Sequence, residues 1–313
     1  MFFNDLYYKI KPFLTRKRQI QIRRFFVNWK RVTNRNIWPI DHDAGKPPNG
    51  WPGWPEGKHF ALVLTHDVET VMGVEKVRRL MEVEKSLGLR SSFNFVVEDY
   101  RVDQEIRSQL IKEGFEVGIH GLNHDINIFH TKSIFSYQAK KINKYLTSWG
   151  TVGFRHPCMY HNLDLIQKLN ILYDTSTFDT DPFEPQPDGV GTIFPFWVPN
   201  AKVGKGYVEL PYTLPQDFTL FVLMREKNID IWKRKIDWIA ERGGMALSIT
   251  HPDYMNFNSG NSKIDEYPHD YYKEFLEYVV EKYRGKYWHV LPKDMARFWM
   301  SHHNKEKDEN IHG

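Results

Sequence analysis

Gly114-Phe115-Glu116-Val117-Gly118-Ile119-His120-Gly121-Leu122-Asn123-His124-Asp125 is the stretch on which the reading of this chain turns. Phe115, Val117 and Ile119 alternate with Glu116 and Gly118, so the spacing predicts a short buried strand that delivers His120. His124 follows four residues later, which sets both imidazoles on one side of a helical turn or tight loop. Such a pair suits two ligands of one metal ion. A metal needs at least a third protein group, and a hydrolytic metal also keeps a position open for water. The remaining donors must therefore come from elsewhere in the chain.

Working outward, strand and helix patterns alternate from residue 59 onward. Phe60 to Leu64 is a nearly all-apolar run, as expected for a strand covered on both faces, and Met245 to Ile249 is another. Strands are also expected at Ser91 to Val97, Gly153 to Arg155, Ile171 to Tyr173 and Lys286 to Val290. Helical patterns fall at Val74 to Leu87, Gln104 to Lys112, Ser133 to Leu146, Leu163 to Leu169, Ile229 to Arg242, Asp270 to Tyr283 and Pro292 to Met300. The alternation is the mark of a parallel α/β architecture. It gives a body over 59–300, with a Pro/Gly-rich 178–228 expected as a β-rich insertion or covering loop. A Pro/Gly/Trp-rich linker over 36–58 precedes the body, a basic amphipathic helix lies within 1–35, and a polar tail occupies 301–313.

In parallel α/β folds the carboxyl ends of the strands share one face, and that face carries the site. Collecting the strand ends brings together Asp67, Glu69, His120, His124, Arg155, Asp174 and His251. Asp67 and Glu69, two residues apart in extended backbone, point to one side, while His66 and Val68 point away into packing. One carboxylate can ligate a metal beside the two histidines while the other serves as base, and a cation relieves their repulsion. A polar strand terminus that caps the next helix is the plainer alternative for these two acids. His251, following a buried strand and preceding Pro252, is a candidate general acid. Arg155, ahead of Pro157, can clamp the base or a developing anion.

The ordered set Thr65-His66-Asp67-Val68-Glu69, His120 to His124, Gly153-Phe154-Arg155-His156-Pro157, Tyr173-Asp174-Thr175-Ser176 and Leu247 to His251 resembles the five motifs of the polysaccharide deacetylase (NodB-homology, carbohydrate esterase 4) superfamily. The resemblance implies a distorted (β/α) barrel of seven strands and metal-assisted hydrolysis of an N-acetyl or related acyl group on a sugar. It implies Asp67 as general base and Arg155 as the group that positions it. His251 becomes the acid toward the leaving amine, and Glu69, His120 and His124 the ligands of a divalent ion, zinc first, with cobalt, nickel or iron as alternatives. Asp174 takes the place of the fourth-motif aspartate, with Asp179 and Asp181 close by. The chain departs from the usual adjacent Asp-Asp pair, because Val68 follows Asp67, and this leaves open which of Asp67 and Glu69 ligates the metal.

The chain carries a net charge of +4, yet residues 1–35 hold ten Lys/Arg against the single acid Asp5, so the rest is mildly acidic. Nothing there favours a nucleic-acid partner. From Arg18 to Val32, Ile22, Phe25, Phe26 and Trp29 recur at helical spacing between basic residues. That stripe predicts either a helix packed on the body by its apolar side or peripheral contact with an anionic membrane. One cysteine, Cys158, permits no internal disulfide, and no run is apolar enough for a signal or a span. The expected setting is the cytoplasm, with membrane association as the alternative. The expected function is a metal-dependent deacylase of a sugar intermediate in surface-polysaccharide metabolism. A barrel that binds glycan without turnover and a hydrolase of a non-sugar amide are the competing readings.

Overall fold

The computed structural model describes residues 14–125, 127–200, 205–258 and 262–312. Eight strands run parallel. In chain order they are β1 (Phe60–Val68), β2 (Ser92–Phe95), β3 (Glu116–Ile119), β4 (Gly153–Phe154), β5 (Tyr173–Asp174), β7 (Lys205–Glu209), β8 (Met245–Thr250) and β11 (Tyr287–His289). β6 (Phe196–Asn200) folds back antiparallel on β7. β9 (Met255–Asn256) and β10 (Tyr267–Pro268) make a separate small sheet. β1 is the hub: it pairs with β11 at its start, β8 along its middle and β2 at its end. The sheet curls until residues beyond β7 reach β8, where Thr213 and Leu214 N–H donate to Leu247 O at 3.0 and 3.2 Å.

Every residue of β1 and β8 is buried, which is why both read as continuous apolar runs. The helices that cover the sheet are α2 (Val71–Ser86), α3 (Gln104–Lys112), α4 (Lys132–Trp149), the short α5 (Leu163–Ile166), α6 (Asp230–Arg242), α7 (Asp270–Lys282) and α8 (Pro292–His312). α4 shows how local chemistry sets the limits of a helix. Thr131 caps it by accepting from Ile134 N–H at 3.1 Å, and Gly150 ends it in the left-handed conformation that side chains disfavour.

The segment 178–228, expected as an insertion, supplies β7, which pairs with β5 inside the curled sheet. Its proline and glycine residues belong to the β6–β7 pair and the turns around it, and the segment ends in a helical turn at Phe218–Leu223. The linker lies on the body: Trp54 Nε1–H donates to Gly243 O (2.7 Å), and Trp51 stacks on Trp299.

The basic helix, α1 (Arg16–Thr33), also lies on the body, but not by the expected stripe. Ile20 and Val27 are its buried residues, whereas Phe25 and Trp29 face outward.

Glu116 is a polar residue in a buried strand. Its Oε1 accepts from Tyr173 OH (2.9 Å) and its Oε2 from Lys293 N–H (3.1 Å), and burial pushes its carboxyl up to about 7. A carboxyl raised above its unfolded value stabilises the fold below that value and loses this contribution as pH rises through 7. Glu116→Gln should therefore leave stability near pH 4.5 little changed and raise it by up to about 3 kcal/mol above pH 7, read from urea midpoints across pH.

Candidate metal centre and active site

The carboxyl ends of the parallel strands open into a cleft of about 360 Å³. Asp67, Glu69, His120, His124 and His251 line it, with Glu184, Asp253 and Tyr254 among their neighbours. Asp67 stands near the end of β1 and is buried. Its Oδ1 accepts from Arg155 Nη1 (2.8 Å) and Asn94 Nδ2 (3.0 Å). Burial opposes its ionisation, but the Arg155 guanidinium together with His120, His251 and the Asn94 hydrogen bond outweighs this and holds the carboxyl at about 2. Arg155, fully buried beyond β4, also donates to Thr65 Oγ1 (2.9 Å) and Thr175 O (3.0 Å). Gly118 makes the Asn94 contact possible, since a Cβ there would come within 2.1 Å of Asn94 Oδ1.

Glu69, one residue past β1, turns into the cleft with Asp67. Its Oε1 is 2.9 Å from His124 Nε2, and its Oε2 accepts from Tyr254 OH at 2.5 Å. Burial resists its charge, yet His124, His251 and the tyrosine hold it well below the ordinary range. His120 follows β3 and is buried, with Nδ1 3.2 Å from Arg155 O. A carbonyl only accepts, so Nδ1 carries the proton and Nε2 keeps its lone pair. Burial lowers this imidazole to about 4, so it is neutral at pH 7. Gly121, at φ 74°, turns the chain between the two histidines, and Pro157 packs where its Cβ would be. Asp99 latches that turn by accepting from His124 N–H (2.7 Å) and Asn123 Nδ2 (2.6 Å).

One donor atom from each of Glu69, His120 and His124 lies within 4.8 Å of the others, forming the one such three-residue cluster among the described residues. Two imidazoles, one of them neutral with a free lone pair, and an ionised carboxylate fit a divalent ion of the zinc, cobalt, nickel or iron type.

Across the cleft stands His251, just past β8. Its Nδ1–H donates to Asp217 Oδ1 (2.7 Å), its backbone N–H donates to Asp217 Oδ2 (2.8 Å), and its Nε2 faces Glu69 Oε1 at 3.8 Å. Burial works against the imidazolium, but Asp217, then Glu69 and Asp67, raise it to about 10. A dication beside Glu69 would remove part of that increase. Asp217 is itself buried and accepts also from Tyr267 OH (2.8 Å) and Phe218 N–H (2.8 Å).

Asp174 is not at the cleft. It ends β5 fully buried, accepting from Ser176 OH (2.7 Å) and N–H (3.2 Å), and burial raises its carboxyl. Its side chain is spent on the turn that follows β5, so the carboxylate that serves His251 is Asp217. Asp179 pairs with Lys235 (2.5 Å), and Asp181 accepts from Tyr212 OH (2.8 Å), so neither replaces it. Two further acids were missed. Asp99 could have been found as a carboxylate just past a strand end. Asp253, in the helical turn Pro252–Tyr254 after β8, accepts from Glu69 N–H (2.9 Å) and Thr70 OH (2.5 Å) just ahead of α2. It fits against Gly73, whose Cβ would meet its carboxylate at 2.3 Å.

No family model and no curated protein matches the sequence. The fold does match solved structures. One from Pseudomonas aeruginosa PAO1, described as a probable polysaccharide deacetylase, aligns at a TM-score of 0.63 and 19% identity over 85% of this chain and 99% of its own. One from Mycobacterium smegmatis, provisionally assigned as a polysaccharide deacetylase, aligns at 0.63 and 16% identity over 82% and 96%. An allantoinase aligns at 0.61 and 18% identity over 84% and 98%. The fold is thus that of the NodB-type polysaccharide deacetylase barrel. The five motif segments of this sequence lie at or beside the carboxyl ends of its strands.

Proposed function

We propose that the chain is a metal-dependent hydrolase that removes an acetyl or related acyl group from the nitrogen of an amino sugar. The observation that carries this reading is one cleft in which an arginine-clamped carboxylate and a carboxylate-held imidazolium flank a three-donor cluster. When bound by Glu69, His120 and His124, a divalent ion supplies Lewis acidity toward a water and the acyl oxygen. Asp67 accepts the proton of the water that adds to the acyl carbon. Arg155 and Asn94 both hold Asp67 by Oδ1, which leaves Oδ2 for that proton. His251 Nε2–H then protonates the nitrogen as the C–N bond breaks, releasing carboxylic acid and free amine. Asp217 fixes the proton on His251 Nδ1 and favours the charged ring, so Nε2 is the donor. Phe183, Phe218 and Tyr254 on the cleft wall offer ring faces to a sugar.

Protein purified without chelator should carry close to one zinc, cobalt, nickel or iron per chain by elemental mass spectrometry. The ion should be lost from His120→Ala/His124→Ala. Acetate release from N-acetylated chito-oligosaccharides should follow the metal content. Allantoin is the counter-substrate, and its hydrolysis in place of the sugars would reassign the substrate. Wild type that stays metal-free after incubation with divalent ions would leave a glycan-binding barrel as the reading.

A further inference from the structure

Helix α1 meets the body with its basic side chains. Besides Ile20 and Val27, its inward contacts include cationic heads reaching carbonyls, Arg24 to Val222 O and Ile264 O (3.0 Å each) and Lys30 to Pro182 O (2.7 Å), and Arg23 over the Phe218 ring. Arg31 is tied to Glu226 at 2.5 Å. These contacts fix the helix in rotation, so its other face stays outside. On that face Phe25, Trp29 and Val32, at i, i+4 and i+7, are 72, 61 and 70% exposed and form one stripe. Lys17, Arg18 and Arg35 are exposed around it, and residues 16–35 hold eight Lys/Arg and no acid. The helix also supplies Arg16, Gln19 and Arg23 to the wall of the cleft, so stripe and site share one element.

Exposed aromatic rings set among the exposed cations Lys17, Arg18 and Arg35 fit a bilayer with anionic headgroups. The rings enter the headgroup–acyl boundary while the cations face lipid phosphates. A second copy is a poor occupant, because it would bring its own Lys17, Arg18 and Arg35 to the same surface. No helix among the described residues is long and apolar enough to cross a membrane, so α1 would lie in the interface. We propose that α1 seats the protein on an anionic bilayer with the cleft beside the surface, and that the substrate is an amide-bearing sugar tethered to lipid there. The substrate half rests on the hydrolase reading above; the docking half does not.

The test is flotation of the full chain with vesicles of phosphatidylcholine alone and of phosphatidylcholine with phosphatidylglycerol in a three-to-one ratio. Wild type should float with the anionic vesicles only. Phe25→Ser/Trp29→Ser should weaken that binding by about 10-fold or more, as should high salt. The double variant should keep its melting temperature, its metal content and its acetate release from a soluble sugar, and lose turnover on a lipid-linked N-acetyl sugar. Wild type that ignores anionic vesicles, or binding that survives the two substitutions, overturns the proposal. A wild-type dimer that the variant turns into a monomer also overturns it, by assigning the stripe to a second copy. Vesicle binding with no hydrolysis of either sugar would sink the hydrolase reading and leave the docking intact.

Discussion

Asp67→Asn should lower turnover by about 10³–10⁴-fold while the variant still binds the divalent ion. The amide cannot take a proton from water near neutral pH, and Asp67 lies outside the Glu69, His120 and His124 cluster. The same substitution also costs stability. Arg155 is fully buried, and Asp67 is its one ion-pair partner among the described residues. Leaving that charge unpaired costs about 3–5 kcal/mol. The two effects separate in Asp67→Asn/Arg155→Met, which should regain melting temperature without regaining activity. Elemental analysis of the single variant reads the assignment directly. If the ion leaves with the charge, Asp67 is the ligand and Glu69 the base.

Asp217→Asn should reduce kcat by about 10²–10³-fold with little change in KM, because Asp217 touches His251 and does not line the cleft. The expected signature is in the pH profile. The Asp217 charge raises the pKa of His251 and so keeps the ring charged, and able to donate, to higher pH. Without the Asp217 charge the imidazolium loses its nearest counter-ion and its pKa falls by about two units. The alkaline limb of kcat should therefore move to lower pH by about that amount, and activity at acid pH should suffer least. His251→Asn serves as the control, since it should lower kcat at every pH. An Asp217→Asn profile that keeps the wild-type limb would show that His251 is not the titrating acid.

The parts of the site that were legible in the sequence are those where one local pattern carries both structure and chemistry. β1, β3 and β8 are short apolar runs, and each hands a polar residue to the open end of the sheet, so Asp67, His120 and His251 could be placed by counting. Asp217 could not. It lies 34 residues before its partner in a segment dense with proline and aromatic residues, and only the path of the chain from β7 to β8 brings the two together. Asp174 failed for the converse reason: it has the right place in the strand order, but its side chain turns back to Ser176. β7 was hidden because its antiparallel neighbour β6 makes the pair resemble an added hairpin. For α1 the periodicity left two orientations open, and the structure has the one with Phe25 and Trp29 outward. The stripe is present, and cationic heads that find carbonyls hold the helix that way round.

Tyr254 has a further consequence for the cluster it borders. Its hydroxyl engages Oε2 of Glu69, while Oε1 points to His124. That hydrogen bond favours Glu69 offering a metal its other oxygen, so that the protein would contribute three donor atoms. Denticity would then be biased by a hydrogen bond from outside the cluster. An ion held by one carboxylate oxygen and two imidazoles would leave room for a water and for the acyl oxygen, which a chelating carboxylate would crowd.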